Sequence, residues 1–167
     1  MERDGSLTIG ERGGTSFFSW GFDNSTPTLI PNLSIRNHGH YPLIASQNGK
    51  VFILGGKNGP KLVDIYENGK VRNVQSQPPV GLAAGCASFL PGDDNLVYYG
   101  GGDFIPWISP GRTNNFWTYD ITSDTFTQIP SLPDYPDTGL AAHGCVGVEA
   151  KSGEKVRVSN LTDPSAG

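Results

Sequence analysis

The sequence predicts an all-β fold made of repeated four-stranded antiparallel units, and three observations predict it. A glycine doublet returns three times, at Gly13-Gly14, Gly55-Gly56 and Gly101-Gly102, with 42 residues from Gly14 to Gly56 and 46 from Gly56 to Gly102. Short apolar and aromatic runs flank the doublets in pairs, split by turn-forming residues. Composition agrees: 23 glycines and 13 prolines among 167 residues, with 17% charged and 36% hydrophobic, suit a turn-rich β protein, and no stretch keeps a helical period. A repeat of this length marks a propeller or solenoid rather than one irregular domain.

Residues 1–35 supply the late strands of a first unit: Phe17-Phe18-Ser19-Trp20-Gly21-Phe22-Asp23 leads to Thr28-Leu29-Ile30-Pro31-Asn32-Leu33. Residues 36–80 form a whole unit. Its first two strands are Pro42-Leu43-Ile44-Ala45 and Lys50-Val51-Phe52-Ile53-Leu54, split by Gln47-Asn48-Gly49. Its last two, Leu62-Val63-Asp64-Ile65-Tyr66 and Lys70-Val71-Arg72-Asn73-Val74, flank Asn68-Gly69, the dipeptide that best tolerates the positive φ angles of a two-residue hairpin turn. Residues 81–135 repeat the plan with Ala87-Ser88-Phe89-Leu90, Asn95-Leu96-Val97-Tyr98-Tyr99, Asn115-Phe116-Trp117-Thr118-Tyr119-Asp120 and Thr125-Phe126-Thr127-Gln128-Ile129. Their turns fall at Pro91-Gly92-Asp93-Asp94 and Ile121-Thr122-Ser123-Asp124. Residues 136–167 open a further unit with Gly144-Cys145-Val146-Gly147-Val148 and Lys155-Val156-Arg157-Val158, followed by a polar tail to Gly167.

On these residues the chain resembles the Kelch repeat family of β-propellers. The likeness is carried by the apolar run into each doublet, at residues 52–56 and 97–102, by Tyr119-Asp120 on a third strand, and by the aromatic on the fourth. Members place tryptophan where this chain has Phe126, Val71 and, in the first unit, Pro27; Arg36 and His40, with His143 in the equivalent place, match the family's entry into strand one. The resemblance runs from about residue 13 to 158 and implies a propeller fragment of four-stranded antiparallel blades. Propellers close with typically four to eight blades, more than this length supplies, so the expectation is a segment of a larger propeller. An open blade face covers on the order of 300 Å², which predicts self-association through the open faces as the other way of burying them.

Net charge is −4 and no lysine-arginine cluster occurs, which disfavours a nucleic acid or anionic membrane partner. No run of 18 apolar residues exists, and Met1-Glu2-Arg3-Asp4-Gly5 is too polar to open a signal peptide. Three sequons, Asn24-Ser25-Thr26, Asn32-Leu33-Ser34 and Asn160-Leu161-Thr162, pull towards secretion, so the compartment stays open. Cys86 and Cys145 lie 59 residues apart at equivalent places in successive units. A disulfide needs Cα atoms within about 7 Å, and equivalent positions on adjacent units are expected to be farther apart, so both are read as small apolar residues of an inner strand.

His38 and His40 would share one face if their segment were a strand, the geometry of a two-ligand metal site. No cysteine or carboxylate accompanies them locally, and no metal or other cofactor is assigned. No phosphate loop, nucleophile elbow or spaced pair of carboxylates occurs, and Asp93, Asp94, Asp134 and Asp137 read as solvated turn formers, so no catalytic residue is assigned.

What remains is a surface. In an up-and-down blade the loop between strands two and three and the loop crossing to the next blade emerge at the same end. The loop at residues 103–114 is about twice as long as its counterpart at 57–61 and carries Phe104, Ile105, Trp107, Ile108 and Arg112. Tryptophan and arginine dominate binding hot spots, and Pro106 and Pro110 restrict the segment. Arg36 and Tyr135 flank it on the inter-blade loops. The expectation is a non-catalytic module that binds a protein partner through this loop end; a loop folded down over the core is the competing reading. The alternative from another class is a piece of a propeller enzyme resembling the galactose-oxidase type, whose copper would need ligands such as Tyr41, Cys86 and His40.

Overall fold

The computed structural model describes residues 35–90, 92–105 and 111–130 together with Thr26, and the backbone of three strands near the N-terminus. It holds no helix among these residues and thirteen strands in antiparallel sheets. The described part of the chain is all-β, as its composition and alternating runs predict.

The first three strands, β1 (Ser6–Gly10), β2 (Phe17–Gly21) and β3 (Thr28–Leu29), form one antiparallel sheet. The sequence reading placed only late strands in this unit; β1 adds an earlier one, paired from Ser6↔Gly21 to Gly10↔Phe17 across the first doublet. The second sheet is a meander in chain order, β4 (Leu43–Gln47), β5 (Lys50–Leu54), β6 (Val63–Glu67) and β7 (Lys70–Asn73). Its two hairpins turn at Asn48-Gly49 and Asn68-Gly69, with φ of 49° and 76° in one and 51° and 75° in the other. Both central residues must be left-handed in a type I′ turn, which is why Asn-Gly fixes these hairpins.

A further four strands, β9 (Cys86–Leu90), β10 (Asp93–Gly100), β12 (Phe116–Asp120) and β13 (Thr125–Ile129), repeat that meander. A two-residue ladder that the alternation does not reveal joins β8 (Leu82–Ala83), on the way into this sheet, to β11 (Asp103–Phe104), which follows the last doublet.

Strand alternation makes the core. Leu43, Leu54 and Val63 form one cross-strand row of the first four-stranded sheet, and Ala45, Phe52 and Ile65 the next. From the other sheet, Ala87, Tyr99 and Trp117 form one row, with Phe89, Val97 and Tyr119 beside it, and all twelve belong to one buried cluster. Phe52 meets Tyr119 at 5.6 Å between ring centroids, and Tyr119 stacks on Phe126 at 4.6 Å. Each such side chain contributes about 1.5–3 kcal/mol of burial. Phe126 holds the fourth-strand side of that contact.

The two sheets approach each other along their first strands, β4 against β9. At the ends where the hairpins turn, a polar clasp adds to the apolar contact: the Gln47 amide donates to Leu90 O and Asp94 Oδ1 at 3.0 and 2.8 Å, Asn48 Nδ2 donates to both Asp94 carboxylate oxygens, and Lys50 Nζ to Asp94 O. Asp93 is a turn former as expected, accepting from the Asn95 and Leu96 amides, whereas Asp94 is committed to the neighbouring sheet.

Candidate functional site

The loops that join strands at the opposite end are tied to one another by backbone hydrogen bonds. Gly56 N donates to Leu82 O, Leu82 N to Pro60 O, Ala84 N to Tyr41 O, Lys57 N to His40 O and Asn58 N to His38 O, all between 2.8 and 3.1 Å. The β8–β11 ladder extends this set, since Ile105 N donates to Gly81 O and Phe104 N to Gly111 O. Four separate connections thus behave as one surface. Gly55 and Gly56 make the close approach possible: both have positive φ, 69° and 100°, and a Cβ on either would collide with a carbonyl, of Leu82 or of His38.

The predicted contact residues fall into three groups. Phe104 is half-buried and packs on the core, Ile105 is half-buried beside it, and Arg112 is exposed, 54% by side chain, 3.5 Å from Asp103. The part of this loop that is described therefore leans inward at Phe104 and outward at Arg112. Arg36 stands apart. Its backbone amide donates to Asp64 Oδ2 at 2.7 Å, its Nε to Oδ1 at 2.8 Å, and its Nη2 to the Val63 and Val74 carbonyls. Trp107, Ile108 and Tyr135 lie outside the described residues, as do Gly13 and Gly14; Gly101 and Gly102 have φ of 62° and 89°.

Asp64 was not singled out by sequence, yet it is the most constrained polar group of the described chain. It is wholly buried and also accepts from His38 Nε2 at 3.1 Å and Asn73 Nδ2 at 3.0 Å. Burial raises its pKa, and the hydrogen bonds from His38, Arg36 and Asn73 overcome that, leaving it at about 2. The available signal was one carboxylate inside the apolar run of β6.

His38 and His40 do not share a face. Their segment is not a strand, because Gly39 and Tyr41 have φ of 73° and 59°, so His38 turns inward and His40 outward. Both ring nitrogens of His38 face acceptors, Gly55 O at 2.8 Å and Asp64. Tyr41 is 52% exposed in a conformation costly for a bulky residue, with Lys57 Nζ 5.5 Å from its ring centre. Sequence reasoning missed this aromatic as a contact residue because no spacing rule marks a left-handed tyrosine.

Cys86 corrects the sequence reading: it is disulfide-bonded, and the chain's one other cysteine is Cys145, outside the described residues. Cys86 opens β9, and the described first strands, β4 and β9, do approach each other closely. A thiol already in a disulfide offers no thiolate to copper, so the ligand set of the enzyme alternative loses its cysteine. The described residues do present a cleft of about 500 Å³ between Ile65, Glu67, Lys70, Arg72 and Ile121, at the turn end away from these loops.

No family model matches the chain, and no curated protein matches it closely enough to count as a relative.

Proposed function

We propose that the chain is a segment of a Kelch-type β-propeller that acts as a non-catalytic interaction module, binding a protein partner through its loop end. The propeller reading is supported by two consecutive four-stranded meanders whose first strands converge, set at the offset of the glycine doublets. The binding reading rests on one observation above all. The connecting loops are hydrogen-bonded into a single surface that holds an exposed Tyr41 in a high-energy backbone conformation, beside the exposed Lys57. Backbone strain of this kind persists where the surroundings over-determine it and clusters at ligand clamps, and a surface already ordered loses less entropy on binding. Self-association through open sheet faces is the second part of the proposal; Ile44, 52% exposed on the face of β4 turned from the core, is its described apolar contact.

The test is comparative capture with quantitative mass spectrometry, using the full chain, Tyr41→Ala, Arg112→Ala and a turn-end control, Asp93→Asn. A partner retained by the control and lost by both loop-end variants supports the reading. Equal recovery on all four baits would overturn it. With that partner purified, Trp107→Ala should weaken affinity by at least about 2 kcal/mol with an unchanged melting temperature.

A further inference from the structure

Two observations that the interaction reading does not use point to the same chemistry. The first is Cys86. It opens β9, is buried, and lies with Phe116 and Ile129 on the face of its sheet turned from the core. It carries a disulfide in a chain with two cysteines, and no described cysteine is free. Disulfides persist in oxidising compartments and are rare where glutathione keeps thiols reduced. The second is the set of three Asn-X-Ser/Thr sequons, and Thr26, the hydroxyl residue of the first, is exposed. Acceptor sequons belong on the surface of proteins that pass through a glycosylating compartment.

We infer that this protein matures in an oxidising, glycosylating compartment, where Cys86 is joined to Cys145 and Asn24 receives an N-linked glycan. In the first step the two thiols lose two protons and two electrons to the disulfide of a thiol–disulfide oxidoreductase, which leaves as a dithiol. In the second, the Asn24 amide nitrogen bonds to the anomeric carbon of a glycan carried on a lipid pyrophosphate. The sugar–phosphate bond breaks, the amide gives up one proton, and the lipid pyrophosphate departs. The loop closed by the bond spans 59 residues of sequence, long enough for cross-linking to restrict the unfolded chain strongly.

The experiment uses the protein from its native cells, quenched in acid and alkylated before any reduction. Peptide mapping is expected to recover a Cys86–Cys145 cross-linked peptide with neither thiol alkylated. Enzymatic deglycosylation in heavy-oxygen water is expected to convert Asn24 to a labelled aspartate. An alkylated Cys86 would overturn the disulfide and the compartment together, and a cross-linked chain with an unmodified Asn24 would overturn the glycan assignment. On the same purified protein, reductant should lower the melting temperature by about 10 °C; an unchanged melt would show that the bond does not hold the native fold. These outcomes are independent of whether the loop end binds a partner.

Discussion

Asp64 shows how much a single buried carboxylate can settle. Its charge is held by Arg36, His38 and Asn73, so its pKa falls from 3.8 to about 2. A group depressed on folding stabilises the native state above its unfolded pKa and loses that contribution as pH falls through the folded value. The stability it gives, about 2 kcal/mol, is therefore complete above roughly pH 4 and lost as pH falls towards 2. Asp64→Asn should flatten this acid limb in urea titrations at several pH values. At neutral pH it should cost about 3 kcal/mol, because the Arg36 charge would remain without its partner. Two tyrosines make a matched pair for the opposite argument. Tyr119 Oη donates to Asp124 Oδ1 at 2.6 Å, whereas Tyr99 Oη is buried without a hydrogen-bond partner, and burial drives both phenols' pKa values well upward. Tyr119→Phe should lose about 1 kcal/mol, while Tyr99→Phe, which removes an unsatisfied hydroxyl, should be neutral or slightly stabilising by chemical denaturation.

At the scale of elements, glycines separate what is local from what is not. Gly69 sits in an open hairpin turn with nothing near a would-be Cβ, so Gly69→Ala meets only the left-handed conformation, costing about 1 kcal/mol. Gly55→Ala adds a collision with the Leu82 carbonyl, and its loss of stability should be at least twice as large when the two variants are melted side by side. The same distinction explains what could be read from the sequence. The Asn-Gly hairpins were legible because the turn's two positive φ angles are written in two adjacent residues, and the strand pairs beside them follow from alternation. The Asp64 network was not, because Asp64 is bonded to residues up to 28 positions away through side chains with no periodic signature. Likewise the β8–β11 ladder is two residues long, too short for alternation to register. The two histidines would share a face only on extended backbone, and the left-handed Gly39 between them breaks it.

At the scale of the whole molecule, the faces matter more than the strands. The two four-stranded sheets bury one face each against the other, and Ile44 lies exposed on a remaining face. Light scattering after size exclusion is expected to give a defined oligomer whose mass falls when Ile44→Lys places a charge in the contact; a monodisperse monomer with a cooperative melt would exclude self-association. The clasp between the sheets also sets a slow chemical limit on the molecule. Asn48 precedes Gly49, the pairing that leaves a backbone nitrogen least shielded from the asparagine side chain, and its amide now donates to both oxygens of Asp94. Hydrolysis of the Asn48 side-chain amide on ageing, with water taken up and ammonia released, would turn that donor into a second carboxylate facing the first. The joint between neighbouring sheets would then carry mutual repulsion where it had a bond.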